Sequence, residues 1–442
     1  MQTKFFLLSL GCPRNLVDSE VLTGALRAGR IRETSDVKNA DVLIVNTCAF
    51  IRDAKDESID AILEMASLKK KGAILIVAGC LSQRYGKALK KQIPEIDAVF
   101  GTSDFMKIPG YVLTGKKPAA GAIVSAKPGF LYDHTMKRSA ITPRHFSYLK
   151  IQEGCRNNCA YCVIPKLRGP YRSRDFESVV EEAGALRAGG AMEIALVGQD
   201  TTLYGIDRYG EPRLAELLGR LAGVMKNRWV RLLYSHPANM TDAVIDAVAS
   251  NGPVCDYVDL PVQHISEKIL KSMNRHVSGK EIRGLIDRVR SKIPSVAIRT
   301  SVMVGYPGET DRDFRELVEF VKETAFDRLG AFVYSPEEGT PACLMKGRVP
   351  DAVKKARFDE ILGVQQDVSR KNNARLMGRK FKVLIDEKSG EDENIYCGRT
   401  YMDAPEVDGI CYVRSRRSLR PGAFVDVTVT DTLEYDLVGE AA

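Results

Sequence analysis

The sequence predicts a three-part α/β protein: a doubly wound parallel-sheet domain over 1–118, a linker at 119–140, a partial (β/α)6 barrel over 141–373 and a small all-β barrel over 374–442. Two patterns predict it. Short apolar runs that end in small or polar residues and alternate with helical periodicity mark buried parallel strands, and they recur along the first 335 residues. Beyond residue 380 apolar and polar residues alternate instead, the period of half-exposed strands.

In the first domain the strand candidates are 4–10 (KFFLLSL), 41–47 (DVLIVNT), 73–79 (AILIVAG) and a shorter run at 98–102, with a helix over 52–68 between two of them. The carboxyl ends of the strands in an open parallel sheet share one edge, where ligands bind. Cys12, Cys48 and Cys80 each fall just past one such end. Position alone leaves two readings of them, buried apolar thiols or metal ligands. Residues 112–145, rich in Gly, Pro and Lys, read as a connection containing a hairpin. Strand candidates then recur at 146–152, 193–199, 230–235, 257–262, 297–305 and 329–335, six units of a barrel whose chemistry belongs at the strands' carboxyl ends. A long charged helix spans 350–377 up to Gly378, and 380–387, 410–414 and 423–441 supply the final β module.

Composition excludes several classes. At 442 residues and 44% hydrophobic content the chain can bury two or three cores. The apolar run Phe5 to Leu10 is too short for a signal core, and no stretch approaches a membrane span, so a cytoplasmic protein with no membrane partner is expected. Ten cysteines are too few for a disulfide scaffold, and in a reducing compartment clustered thiols signal metal or redox chemistry. The net charge is +8, but 379–442 holds nine Lys or Arg against thirteen Asp or Glu, an acidic tail on a basic body.

The strongest chemical signal is EGCRNNCAYCVIPKLRG, directly after the first barrel strand. Cys155, Cys159 and Cys162 stand at C-x3-C-x2-C with no fourth cysteine near. A structural zinc site takes four protein ligands, and an electron-transfer cluster takes four thiolates. Three thiolates on one loop leave one iron of a 4Fe-4S cluster free to bind a substrate.

This loop, with the aromatic Tyr161 before its last cysteine, resembles the radical S-adenosylmethionine superfamily. The resemblance implies that the open iron is chelated by the methionine end of the cofactor, whose carbon-sulfur bond is then cleaved to a 5'-deoxyadenosyl radical. It further implies cofactor contacts from Tyr161, from Gln199 and its neighbour Asp200 after the second strand, and from Gly305, Pro307 and Glu309 in SVMVGYPGET. Joined to Cys12, Cys48 and Cys80 and to the C-terminal β module, the loop makes the whole chain similar to the methylthiotransferases. In that family the N-terminal cysteines hold a second 4Fe-4S cluster, again with an open iron, and the β module is a TRAM barrel. The stretches SLGCPRNLVDSE and TYMDAPEVDG resemble the branch that methylthiolates an aspartate of small-subunit ribosomal protein S12. The other branch modifies an adenosine of transfer RNA. Charge supports the first choice, since an RNA-binding module should be basic whereas an acidic one suits a basic protein. The expected partners are therefore ribosomal protein S12, free or on the small subunit, and a reducing protein such as flavodoxin or ferredoxin, with no direct transfer-RNA substrate. The alternatives are a transfer-RNA methylthiotransferase and, outside enzymes, an iron-sulfur electron carrier or ribosome-binding protein; the missing fourth ligands argue against a plain carrier.

No side-chain acid and base pair is required, because an aspartyl β-carbon hydrogen is too weakly acidic for an ordinary base. Cys255, Cys343, Cys397 and Cys411 are isolated and read as incidental thiols. His236 and His264, after strands on the active face, read as core or scaffold residues, with a substrate or cofactor contact as the alternative. Arg168, Arg172 and Arg174 read as a solvated basic face that could anchor an acidic substrate or an electron donor.

Overall fold

The computed structural model describes residues 2–115, 121–390 and 392–442; positions 119 and 120 of the expected linker lie outside them. The first sheet is wholly parallel, in the order β2 (Arg32–Glu33), β1 (Lys4–Ser9), β3 (Val42–Thr47), β4 (Ile74–Gly79), β5 (Ala98–Phe100), β6 (Ala122–Ile123). Its central strands β3 and β4 are buried almost throughout, as a sheet covered by helices on both faces requires. The helices α1 (Pro13–Ala28), α2 (Arg52–Leu68) and α3 (Cys80–Gln92) connect them. The expected hairpin needs correcting: Ala122–Ile123 pairs in parallel with β5 and extends the first sheet. Two-residue edge strands carry too little periodicity to be seen in sequence.

The central region places β7 (Phe146–Lys150) beside a small hairpin, β8 (Gln152–Glu153) and β9 (Arg172–Ser173), that frames the cysteine loop. Then follow β10 (Glu193–Val197), β11 (Trp229–Leu232), β12 (Tyr257–Asp259), β13 (Ala297–Val304) and β14 (Arg328–Val333). They form two parallel three-stranded sheets, β11-β10-β7 and β12-β13-β14, linked where the Ser235 N–H past β11 donates to the Asp259 carbonyl of β12 (3.0 Å). Leucines and valines of the outer face pack on the surrounding helices in one large core. This is the expected partial (β/α)6 barrel.

The helix Asp351–Ala374 leads to a closed five-stranded barrel, β15 (Lys380–Lys388), β16 (Ile395–Arg399), β17 (Cys411–Arg414), β18 (Phe424–Thr432) and β19 (Leu437–Ala441), ordered β15-β16-β17-β19-β18. The run at 423–441 is two strands, folded back so that Val429 pairs with Gly439. β16 escapes a sequence reading because its IYCGR lacks clean alternation.

The β16–β17 connection plugs the hollow of the partial barrel. Tyr148 of β7 donates to Glu406 (2.7 Å), Arg231 of β11 to the Tyr401 carbonyl (2.6 Å) and Tyr257 of β12 to Asp408 (2.6 Å). Arg299 of β13 also reaches Asp408 (3.1 Å), Arg328 of β14 pairs with Asp403 (2.5 Å), and Glu193 of β10 pairs with Arg399. All six barrel strands are thus tied to the C-terminal module. Contrary to the acidic tail that the residue count predicts, Asp403 and Asp408 neutralise buried barrel arginines, and Asp386 pairs with Arg399 and His145. These carboxylates do not form an outward acidic face. Arg328 and Asp403 side chains are 7% and 2% exposed. Asp403→Ala should therefore cost about 3–5 kcal/mol by leaving a buried guanidinium unpaired, read as a lowered denaturation midpoint. A change under 1 kcal/mol would mean the plug contributes little.

Candidate active site

Each thiol of the first set is delivered by a strand end. Cys12 caps the N-terminus of α1, Cys48 follows β3, and Cys80 opens α3 directly after β4. Helix N-termini favour a thiolate. Two glycines let the loops close. Gly11 has φ +85°, and a Cβ there would come 2.7 Å from that of Cys48; Gly79 has φ +94°, and a Cβ would meet the Thr47 carbonyl at 2.5 Å. Asn15 then stitches the loops, its amide donating to the Leu10 carbonyl (2.7 Å) and the Asn46 carbonyl (3.3 Å), while Asn46 donates back to the Asn15 carbonyl (3.0 Å). Burial pushes the Cys12 thiol up, but Arg14 and Arg168 outweigh it and hold the thiol below its ordinary pKa. Cys48 is pushed up to about 12 by burial and by Cys80 and Cys12.

The second set sits on the loop between β8 and β9. Gly154, with φ +79°, turns the chain where a Cβ would strike the Pro170 carbonyl. Burial raises Cys155 to about 11 and Cys162 to about 12, and neighbouring thiols of the loop add to both shifts. Thiols that disfavour one another's ionisation share a site, and a bound metal reverses that balance. Asp200 does not line the cavity described below; it holds the loop through Asn157 (2.7 Å) and is itself braced by Asn239 (2.9 Å).

The two sets are locked together by a buried charge network. Asp18 of α1 accepts from Lys150 of β7 and from Arg168 (2.5 Å), and Glu153, two residues before Cys155, accepts from Lys150 (2.8 Å) and Arg168 (3.3 Å). Arg168 also donates to Asn15 (3.0 Å), and it lies within electrostatic reach of Cys80 and Cys12. Gln199 is fastened to Glu153 by its amide. Arg168, Arg172 and Arg174 are therefore no solvated face. Arg168 and Arg174 are buried, Arg174 pairs with Glu182 and stacks on Tyr132, and Arg172 donates to backbone carbonyls of 128 and 170. Sequence reading missed this because the partners, Asp18 and Glu182, lie on other elements.

Beside the second set opens a cavity of about 260 Å³, lined by Cys155, Cys159, Cys162, Tyr161 and Gln199 and, from the first domain, by Arg14, Phe50 and Ile51; Cys12, Cys48 and Cys80 do not line it. Gly305, Pro307 and Glu309 do not line it. Glu309 is taken up by the backbone N–H groups of Gly305 (2.8 Å) and Tyr306 (3.2 Å) and by Arg357 (2.8 Å), so it staples its own turn. Ser301 and Met303 represent that strand in the cavity instead. His264 also lies outside, whereas His236 lines the cavity; burial, then Arg275, push its pKa down to about 2, so it is neutral. Its Nδ1 accepts from the Ala238 N–H (3.2 Å), which leaves the proton on Nε2. Cys255, Cys343, Cys397 and Cys411 are absent from the lining.

The residues fit the expected groups. Gln199, Ser235, His236 and Arg275 line the cavity, and each keeps one buried polar atom (Oε1, Oγ, Nε2 and Nε) without a hydrogen-bond partner among the described residues. Unpaired buried donors and acceptors are costly, and a zwitterionic amino-acid moiety would satisfy both kinds. Among the described residues no group of three or more His, Cys, Asp or Glu could hold a single metal ion. A cubane does not require one, since each of its irons takes a separate thiolate.

Three family models match the chain: uncharacterized protein family UPF0004 over residues 4–101, the radical SAM superfamily over 149–321 and the TRAM domain over 377–442. Curated relatives match along its length. Proteins from Clostridioides difficile (46% identical, covering 99% of this chain and 98% of the relative), Geobacter sulfurreducens (45%, 99% and 98%) and Lachnoclostridium phytofermentans (45%, 99% and 100%) are each named ribosomal protein uS12 methylthiotransferase RimO. Among solved structures, the radical S-adenosylmethionine methyltransferase TsrM from Kitasatospora setae superposes with a TM-score of 0.59 at 14% identity, covering 83% of this chain and 89% of that one. The cobalamin-dependent radical enzyme OxsB gives 0.52 at 11% identity, over 83% and 56%. At such identities these structures show the fold alone.

Proposed function

The chain belongs to the ribosomal protein uS12 methylthiotransferase family, and from that premise we propose that it inserts a methylthio group at the β-carbon of an aspartate in ribosomal protein uS12. The observation that carries this reading is the single cavity bordered by one cysteine set and reached by Arg14 from the other. Cys155, Cys159 and Cys162 would hold one 4Fe-4S cluster and Cys12, Cys48 and Cys80 the other, with S-adenosylmethionine as the cosubstrate. Bound there, these groups supply a carbon-centred radical able to remove an unactivated hydrogen, together with the sulfur and the methyl group.

The protein's own contribution is placement and exclusion of water. Glu153 and Asp200 fix Gln199 and Asn157 beside the cysteine loop, His236 presents an N–H donor, and Asn15 and Arg168 keep the first thiol set against the barrel. Phe50 and Phe332 line the cavity yet remain 43% exposed, apolar surface for an entering protein segment. Tyr161, whose hydroxyl accepts from Arg275 (3.4 Å), and Gln199 would contact the cosubstrate. An external reductant of the flavodoxin or ferredoxin type is needed, and transfer RNA is not a direct substrate; the name of the full-length relatives supports that choice. Among the described residues no helix is long and apolar enough to cross a membrane.

Mass spectrometry of uS12 from cells with and without this gene tests the reading: a methylthio addition on one aspartate should appear only with it. A separation of functions is also expected. Replacing Cys12, Cys48 and Cys80 by alanine should leave about four irons of about eight and preserve deoxyadenosine release, while methylthio transfer stops. Transfer that continued would remove the second-cluster assignment.

A further inference from the structure

A target aspartate enters the cavity as an anion, and a desolvated carboxylate must meet a cation or an array of N–H donors. Three side chains that carry charge at neutral pH, cysteines aside, line the cavity: Arg14, Arg275 and Glu337. Glu337 is already paired with Lys55 (2.9 Å) and Arg84 (2.5 Å). Arg275 is committed to the radical loop, donating to the Pro261 carbonyl (2.5 Å) and the Tyr161 hydroxyl (3.4 Å) and approaching the Cys159 sulfur (3.7 Å).

Arg14 differs from both. It belongs to the other domain, two residues after Cys12, yet it reaches across to the barrel: Nη1 donates to the Gly198 carbonyl (2.7 Å), and the guanidinium lies 4.5 Å over the Tyr234 ring. Anchored by one edge and flattened on an aromatic face, it holds a defined plane. A guanidinium carries five N–H donors. The Gly198 carbonyl and the Cys12 thiol take up part of them, leaving donors for a two-pronged grip on a carboxylate. Two residues past Cys12 in the chain, it lines the cavity together with Cys155, Cys159 and Cys162, so it stands between the two thiol sets. A carbon acted upon from both sets must lie there too.

We propose that Arg14 is the substrate-binding residue that receives the carboxylate of the target aspartate, with Tyr234 and the Gly198 carbonyl holding its guanidinium between the two cysteine sets. This assignment rests on an aspartyl substrate. The test is a double-mutant cycle on anaerobically reconstituted holoenzyme, measuring binding of purified uS12 and of uS12 with its target aspartate changed to asparagine. The native enzyme should prefer the aspartate form by about tenfold, the scale of a charged hydrogen-bonded pair. Arg14→Gln should bind both forms equally, at the level of the native enzyme with the asparagine form. Arg14→Lys, which keeps the charge but loses the fork, should recover part of the preference.

Iron content near eight per chain and retained S-adenosylmethionine binding in Arg14→Gln would show that the effect is local. An undiminished aspartate preference in Arg14→Gln overturns the proposal. So does loss of S-adenosylmethionine binding, which would give the cation to the cosubstrate, and so does loss of half the iron, which would make Arg14 a scaffold of the Cys12 set. If native enzyme binds neither form of uS12 above an unrelated basic protein, the aspartyl-substrate reading itself has failed and the proposal falls with it.

Discussion

Replacing Cys155, Cys159 and Cys162 together with alanine is expected to lower the iron of anaerobically reconstituted protein from about eight to about four atoms per chain and to abolish deoxyadenosine formation. The effect should be all or none, because the loop between β8 and β9 offers no substitute ligand. The four cysteines outside both sets do not line the cavity, and Asp200 is occupied by Asn157, Asn239 and Thr202. The first set, anchored by its own strand ends and by Asn15, should keep its iron. A triple variant that still cleaves the cosubstrate would overturn the radical assignment.

A loss of stability as large as that of Asp403→Ala is expected from Asp18→Asn. Lys150 and Arg168 are 2% and 3% exposed, and both converge on Asp18 and Glu153. Removing one carboxylate leaves two buried cations facing a single anion, which should cost about 3–5 kcal/mol. It would be seen as a lower denaturant midpoint with an unchanged slope. A loss under 1 kcal/mol would show that the network does not hold the domains together.

The same network predicts a pH dependence. Burial alone would raise the pKa of Glu153, but Lys150 and Arg168 outweigh it and hold the carboxyl well below the usual range. A carboxyl depressed in the folded state contributes stability that is present above its unfolded pKa and lost as pH falls through the folded one. The contribution should therefore persist through mildly acidic solution and disappear only below the ordinary carboxylate range. Acid titration of the native protein and of Glu153→Gln should diverge above that range and converge below it.

Much of this molecule is written locally. The strands of the first domain, the six strands of the partial barrel and the helix Arg52–Leu68 are runs whose period and length suffice to identify them, and both cysteine sets follow from where those runs end. What escaped was short or nonlocal. The edge strands Arg32–Glu33 and Ala122–Ile123 exist only because a neighbouring strand supplies hydrogen bonds. TYMDAPEVDG is a useful signature in sequence, yet its role as a plug depends on five barrel strands presenting Arg and Tyr side chains to it.

Charge shows the division most sharply. Counting residues makes the tail acidic and the 168–174 segment a basic face; in the folded chain Asp403 and Asp408 are buried against Arg328 and Arg299, and Arg168 against Asp18 and Glu153. Which thiols stand in sets of three, and which strand ends deliver them, is legible along the chain, because covalent spacing and period are properties of neighbours. That Arg14 crosses to the other domain, and that these charged residues neutralise one another in the interior, follows from the fold, because a charge's environment is set by whatever folding brings within a few ångströms of it.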